Sequence, residues 1–168
     1  PLQALADAIT LNEFKTPHKP KVVLTWAPHP KALPHAVGNS FTKMMGNLDA
    51  DFVIAHPEGY ALNPEITRGV KCVTNQEEAL DGADFIYTKN WSSYEHYGQI
   101  LRTDDKWMIT PEKMELTNNG KFMHCLPIRR NIVAADGVLD SPNSLVIQQS
   151  QNRIYSAQAV LKQLLENG

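Results

Sequence analysis

Five short apolar runs constrain this chain more than any other feature. They fall at residues 21–26 (KVVLTW), 52–55, 70–73, 84–88 and 122–125. Each is too short to read as a helix, and none alternates cleanly between apolar and polar. That is the pattern of a strand buried on both faces. Helical periodicity fills the gaps. Val37, Phe41, Met44, Met45 and Leu48 fall on one face of a helix over residues 35–48. Asn75 or Thr74 can cap a helix over residues 76–80, with Glu77 and Glu78 well placed in its first turn. Short helices are expected near residues 64–68 and after Pro111, with Thr110 as the cap of the latter.

Two longer helices bracket this core. Leu2, Leu5, Ala6 and Ile9 predict a helix over residues 2–13. Ile154, Ala157, Val160, Leu161, Leu164 and Leu165 predict an amphipathic helix over residues 152–166, and residues 145–147 read as a short sixth strand. Strands alternating with helices give an α/β fold: a doubly wound, Rossmann-like parallel sheet of about five strands with helices on both faces. Ligands of such sheets sit beyond the carboxyl ends of the strands. The residues to weigh are therefore His29, His56-Pro57, Lys89-Asn90-Trp91 and the segment 124–131.

Composition narrows the function class. Sixteen basic and eighteen acidic residues leave a net charge of −2, which argues against a non-specific nucleic-acid binder. No apolar run approaches a membrane span, so no membrane partner is expected. Neither a Gly-x-Gly-x-x-Gly nor a Gly-x-x-x-x-Gly-Lys-Ser/Thr motif is present, so a nucleotide site lacks its usual loop. Cys72 and Cys125 stand far apart, with no metal-ligand spacing; both are expected to stay reduced, in keeping with a cytoplasmic protein. Cys72 reads as a buried small hydrophobe in its strand. Trp107 reads as core, and Trp91, Tyr94 and Tyr97 as loop packing. The chain opens at Pro1 straight into a helical pattern, which reads as part of a longer protein.

The densest chemistry follows the fifth run: His124, Cys125, Leu126, Pro127, Ile128, Arg129, Arg130 and Asn131. Two adjacent guanidinium forks suit a carboxylate or phosphate. From chemistry alone the block also fits a core cysteine at a strand end followed by two solvated arginines. Here the sequence resembles the carbamoyltransferases. HCLPIRRN is similar to the His-Cys-Leu-Pro signature of the ornithine enzymes. Pro1-Leu2-Gln3 is similar to the tail of their His-Pro-x-Gln motif, and Gln151-Asn152-Arg153 to the arginine segment of their last helix.

That resemblance implies the acceptor-binding domain of a carbamoyltransferase over residues 1–168. Residues 1–15 would be the interdomain helix and 151–168 the C-terminal helix, with the carbamoyl-phosphate domain lying in sequence not present here. It implies carbamoyl transfer from carbamoyl phosphate to the δ-amine of an ornithine derivative, in arginine biosynthesis, by a cytoplasmic homotrimer. Cys125, His124 and Arg153 would be catalytic, with His124 orienting its loop near the carbamoyl group. Carbamoyl phosphate would meet Pro1, Gln3, Cys125, Leu126 and Arg153. His29, Lys89 and Arg129 would hold the acceptor. No metal or organic cofactor is implied. The sequence departs from the ornithine-specific pattern at two places. Lys89-Asn90-Trp91-Ser92-Ser93-Tyr94 stands where an Asp-x-x-x-Ser-Met-Gly stretch would be, and His29-Pro30 replaces an Asp-Gly-x-Asn-Asn loop. A lysine repels an α-ammonium but pairs with a carboxylate. Both departures resemble the N-acylornithine branch, with N-succinylornithine as the expected acceptor. N-acetylornithine, plain ornithine and a non-catalytic amino-acid-binding module remain as alternatives.

Overall fold

The computed structural model describes residues 1–167. Its centre is one all-parallel sheet in the order β3-β2-β1-β4-β5, built from β1 (Lys21–Trp26), β2 (Asp51–Ala55), β3 (Lys71–Val73), β4 (Phe85–Lys89) and β5 (Lys121–Met123). Central β1 is buried from Val22 onward, as its unbroken apolar run requires. Leu24 pairs with Ile54 of β2 on one side and Tyr87 of β4 on the other. The chain winds outward from β1 through β2 to β3, then returns across the sheet to β4 and β5. The winding therefore reverses between β1 and β4, and the crevice of a doubly wound sheet opens at their carboxyl ends.

Opposite crossovers place helices on both faces. One layer holds α1 (Leu2–Glu13), α2 (Ala36–Met45) and α7 (Val146–Glu166), with α3 (Pro64–Thr67) beside α2. The other holds α4 (Gln76–Leu80), α5 (Pro111–Glu115) and α6 (Asp136–Leu139). Asn75 caps α4 by accepting from the backbone N–H of Glu77 and Glu78, and Thr110 caps α5 at Lys113. Phe41 meets Tyr87 edge to face at 4.5 Å, tying α2 to β4.

Several expectations are corrected. Residues 145–147 do not form a strand. One bridge links Phe122 to Ser144, Leu145 N–H donates to Phe122 O at 2.8 Å, and the chain then coils into α7. That helix starts at Val146, six residues before the expected position. Its buried face is Val146, Gln149, Asn152 and Ser156, while Ile154, Val160, Leu161, Leu164 and Leu165 are exposed. The bounds of α1 hold, but its buried face is Ala4, Ala6, Asp7, Thr10 and Leu11, with Leu2 exposed. The seam between the two helices is polar: Asn152 Nδ2 donates to Thr10 Oγ1 at 3.0 Å and to Glu13 Oε2 at 2.8 Å. Cys72 is exposed rather than buried, because β3 is an edge strand. Trp107 is core, and Trp91 is fully buried, its indole N–H donating to Tyr60 O.

Candidate active site

Three segments converge where the winding reverses: the loop after β1 carrying His29, the end of β4 at Lys89, and the loop after β5 from His124 to Asn131. β5 ends at Met123, so His124 and Cys125 begin a loop and do not close the strand. Both are buried. Leu126 takes a left-handed φ of 49°, and its bond to Pro127 is cis. A leucine in that region is strained, and such strain persists where surrounding structure imposes it.

The imposing contacts are visible. Gln149 Oε1 accepts from the backbone N–H of His124 at 2.8 Å, and the Leu126 N–H donates to His124 Nδ1 at 3.0 Å. An Nδ1 that accepts leaves the ring proton on Nε2. Burial first, then the positive charges near Lys89 and His29, push the His124 pKa down to about 3, so the ring is a neutral Nε2–H donor at any working pH.

His29 is held likewise. Lys31 N–H donates to its Nδ1 at 3.1 Å, and Lys31 O, which could accept from a charged ring, lies 3.0 Å from the same atom. Burial lowers its pKa, the Lys31 backbone bond opposes, and Arg129, Lys89 and Lys31 add to the lowering. His29 therefore lies within electrostatic reach of Lys89, Arg129 and His124, and His124 within reach of Lys89. Neither Lys89 nor Arg129 has an ion-pair partner among the described residues. The neighbouring Arg130, by contrast, is committed within the protein: Nη1 donates to Asp136 at 2.8 Å and Nη2 to Asp140 at 2.6 Å. Asn131, at φ 56°, exchanges hydrogen bonds with the same Asp136. One arginine of the pair is free for a ligand, and the other folds the loop.

Pro1 and Gln3 open α1, where Pro1 O accepts from Leu5 N–H at 3.0 Å. Gln3 Nε2 donates to Asp7 Oδ1, one turn on along the same helix, at 2.7 Å. Arg153 lies one turn past Gln149 on α7, exposed and without an ion-pair partner among the described residues. His56 is buried beside Pro57 O, a structural role. Tyr94 and Tyr97 pack on His35 and are otherwise exposed. Among the described residues no cluster of histidine, cysteine or carboxylate side chains could hold a metal, and no helix is long and apolar enough to cross a membrane. Asp7 and Gln149 escaped sequence reading. Their only signal is a polar residue at a helical position that the sequence alone does not show to be buried.

Residues 35–164 match the family model described as Aspartate/ornithine carbamoyltransferase, Asp/Orn binding domain. The chain belongs to this carbamoyltransferase family. It is 53% identical over 169 residues to an N-succinylornithine carbamoyltransferase of Bacteroides fragilis, covering 99% of this chain and 53% of that protein. An N-acetylornithine carbamoyltransferase of Xanthomonas campestris is 36% identical over 98% of this chain and 55% of its own length. A solved structure of N-acetyl-L-ornithine transcarbamylase complexed with carbamyl phosphate and N-succinyl-L-norvaline superposes with a TM-score of 0.85 at 32% identity, over 96% of this chain and 55% of that one. The chain thus spans about half the length of the curated relatives it matches.

Proposed function

We propose that the chain is the acceptor-binding half of an N-acylornithine carbamoyltransferase, acting on N-succinylornithine. Its partner half would be a carbamoyl-phosphate domain of the kind that completes the relatives' length. Residues 1–15 would lead in from that domain, and 151–168 would close the fold. The observation that carries the reading is the pair of cations without an ion-pair partner among the described residues, Lys89 and Arg129, beside His29, whose pKa burial lowers, at the strand ends. An N-succinylated ornithine has two carboxylates and no α-ammonium. Two free cations suit it, whereas plain ornithine would bring its ammonium against Lys89. The identity to an N-succinylornithine carbamoyltransferase supports the same choice.

In this reading the neutral δ-amine attacks the carbamoyl carbon. The N–C bond forms, the C–O bond to phosphate breaks, and the amine's proton leaves with the phosphate. The δ-amine, with an ordinary pKa of ~10.4, must first lose its ammonium proton. Backbone carbonyls of Cys125 and Leu126 would accept from the amine. His124 Nε2–H would donate to the oxygen that gains charge, the kind of fixed donor that stabilises an oxyanion. Gln3 would meet the carbamoyl NH2 group, Pro1 would shape that edge, and Arg153 would face the phosphate. Cys125 acts here through its backbone, since the amine attacks directly. In this reading the full-length protein is a homotrimer serving arginine biosynthesis, as the family resemblance implies, and the two free cysteines fit a reducing, cytoplasmic setting.

The full-length protein should be assayed with carbamoyl phosphate and, in turn, N-succinylornithine, N-acetylornithine and ornithine. The succinyl compound should lead in kcat/KM by at least about tenfold, ~1.4 kcal/mol. A preference for ornithine would overturn the acyl reading. The 168-residue chain alone should show no turnover, because in this reading the carbamoyl-phosphate domain is the other half of the enzyme.

A further inference from the structure

Asp7 and Gln149 lie outside every residue set above, yet they join them. Both are fully buried, one on α1 and one on α7. A single oxygen, Asp7 Oδ1, accepts from Gln3 Nε2 and from Gln149 Nε2, each at 2.7 Å. The other end of the Gln149 amide accepts from His124 N–H, and His124 in turn accepts from Leu126 N–H. The line Gln3–Asp7–Gln149–His124–Leu126 therefore runs from the start of α1 to the strained loop without a break.

The arrangement fixes direction as well as place. A glutamine amide can turn either end to a neighbour. Its oxygen would be repelled by the Asp7 carboxylate, so Gln3 must turn Nε2 inward and Oε1 outward. An outward Oε1 is an acceptor, and a carbamoyl NH2 is a donor. Gln149 is oriented by the same oxygen, leaving its own Oε1 to hold the loop backbone. Burying a carboxyl for this is costly. Desolvation raises its pKa to about 6, against the hydrogen bonds from Gln149 and Gln3. Asp7 Oδ2 has no well-formed hydrogen bond among the described residues, nor has the buried Tyr87 hydroxyl beside it. Structure alone does not call for this: an apolar pair would seal the α1–α7 seam without a buried charge.

We propose that Asp7 is a positioning residue for carbamoyl transfer, setting the amide of Gln3 directly and the His124–Leu126 backbone through Gln149. This rests on the carbamoyltransferase reading above. The test uses the full-length protein with Asp7→Leu, Asp7→Asn, Gln149→Leu and the double leucine variant. Readouts are kcat, both KM values, and hydrogen exchange of the His124 and Leu126 amides. Each leucine variant should lose about 100-fold in kcat, the scale of a misplacement near 1 Å, with acceptor KM changed by less than about threefold. Asp7→Asn keeps an oxygen acceptor and should recover most of the loss. The double variant should be no worse than about threefold below the poorer single, since one line is cut twice. Exchange at residues 124–126 should rise in both singles while Val22–Leu24 stays protected. Unchanged exchange at 124–126, or losses that multiply in the double, would overturn the proposal. Should the leucine variants fail to fold, Gln149→Glu sets a like charge against Asp7 and should show the same kcat loss; full activity there would also overturn it. If the unaltered protein turns over no acceptor, the function reading fails, and the exchange result alone decides the tether.

Discussion

The backbone N–H of Leu126 donates to Nδ1 of His124 at 3.0 Å, which places the only proton of that buried ring on Nε2. With a pKa of about 3, the ring does not titrate where enzymes of this kind work. The acid limb of the kcat profile should therefore not report His124. Replacing it by Phe should remove the donor to the developing oxyanion and lower kcat by about 10²-fold or more. Acceptor KM should change little. Steady-state kinetics between pH 5 and 9 would check both statements. A His124-dependent limb near pH 6.5 would refute the depressed pKa.

Lys89 and Arg129 differ from Arg130 in having no partner of their own. Lys89→Ala should raise the KM for the acylated acceptor about 10- to 100-fold, the loss of one charged hydrogen bond. The effect on kcat should be much smaller, because the lysine binds ground and transition states alike. An unchanged KM would remove Lys89 from the site. Arg130→Ala should leave KM unaltered and lower Tm slightly, through loss of the Asp136 and Asp140 contacts.

Sheet and site were legible to different depths. The apolar runs sufficed for the inner strands because burial on both faces leaves a period-free signature, as in Val22, Val23 and Leu24. The loop ends His29, Lys89 and His124 followed from the winding rule alone. The face of α2 was legible, with Phe41 and Met45 buried, but those of α1 and α7 were not. Leu161 and Leu164 look like a core stripe, yet the core side of α7 is Gln149, Asn152 and Ser156. Periodicity locates an apolar stripe but not what covers it, and a polar buried seam inverts the inference. The split between Arg129 and Arg130 was invisible for a related reason. The acids that occupy Arg130, Asp136 and Asp140, reach it only once the loop has turned back on itself.

Gly120 precedes β5 and allows no side chain. A Cβ there would lie 2.5 Å from Ile86 Cδ1, 2.8 Å from Ala83 O and 2.8 Å from Thr117 Oγ1. The Ala83 carbonyl is backbone and cannot step aside, so Gly120→Ala should destabilise by about 1–3 kcal/mol. The shift would propagate along three residues of β5 to His124, so kcat should fall as well. Denaturant midpoints and kinetics on the same preparation would measure both.

Asp7 offers a stability test of opposite sign to most carboxylates. Its folded pKa of about 6 lies above the ordinary 3.8, so the folded state holds the proton more tightly than the unfolded chain. Its contribution is therefore fully present below pH ~3.8 and is lost as the pH rises through about 6. Asp7→Asn keeps the Oδ1 acceptor for both glutamines and removes the charge. At pH 7.5 the variant should be more stable than the parent by up to about 3 kcal/mol, since the carboxyl titrates at about 6 when folded and 3.8 when unfolded. The gain should shrink steadily below pH 6 and vanish near pH 4. His124 pulls the parent the other way, because its depressed pKa removes stability as pH falls from about 6.5 toward 3. That second slope is common to both proteins and cancels in their difference. Thermal melts of the pair across pH 4 to 8 would isolate the Asp7 term. A pH-independent difference would mean that Asp7 titrates as an ordinary carboxylate and that its burial carries no electrostatic strain.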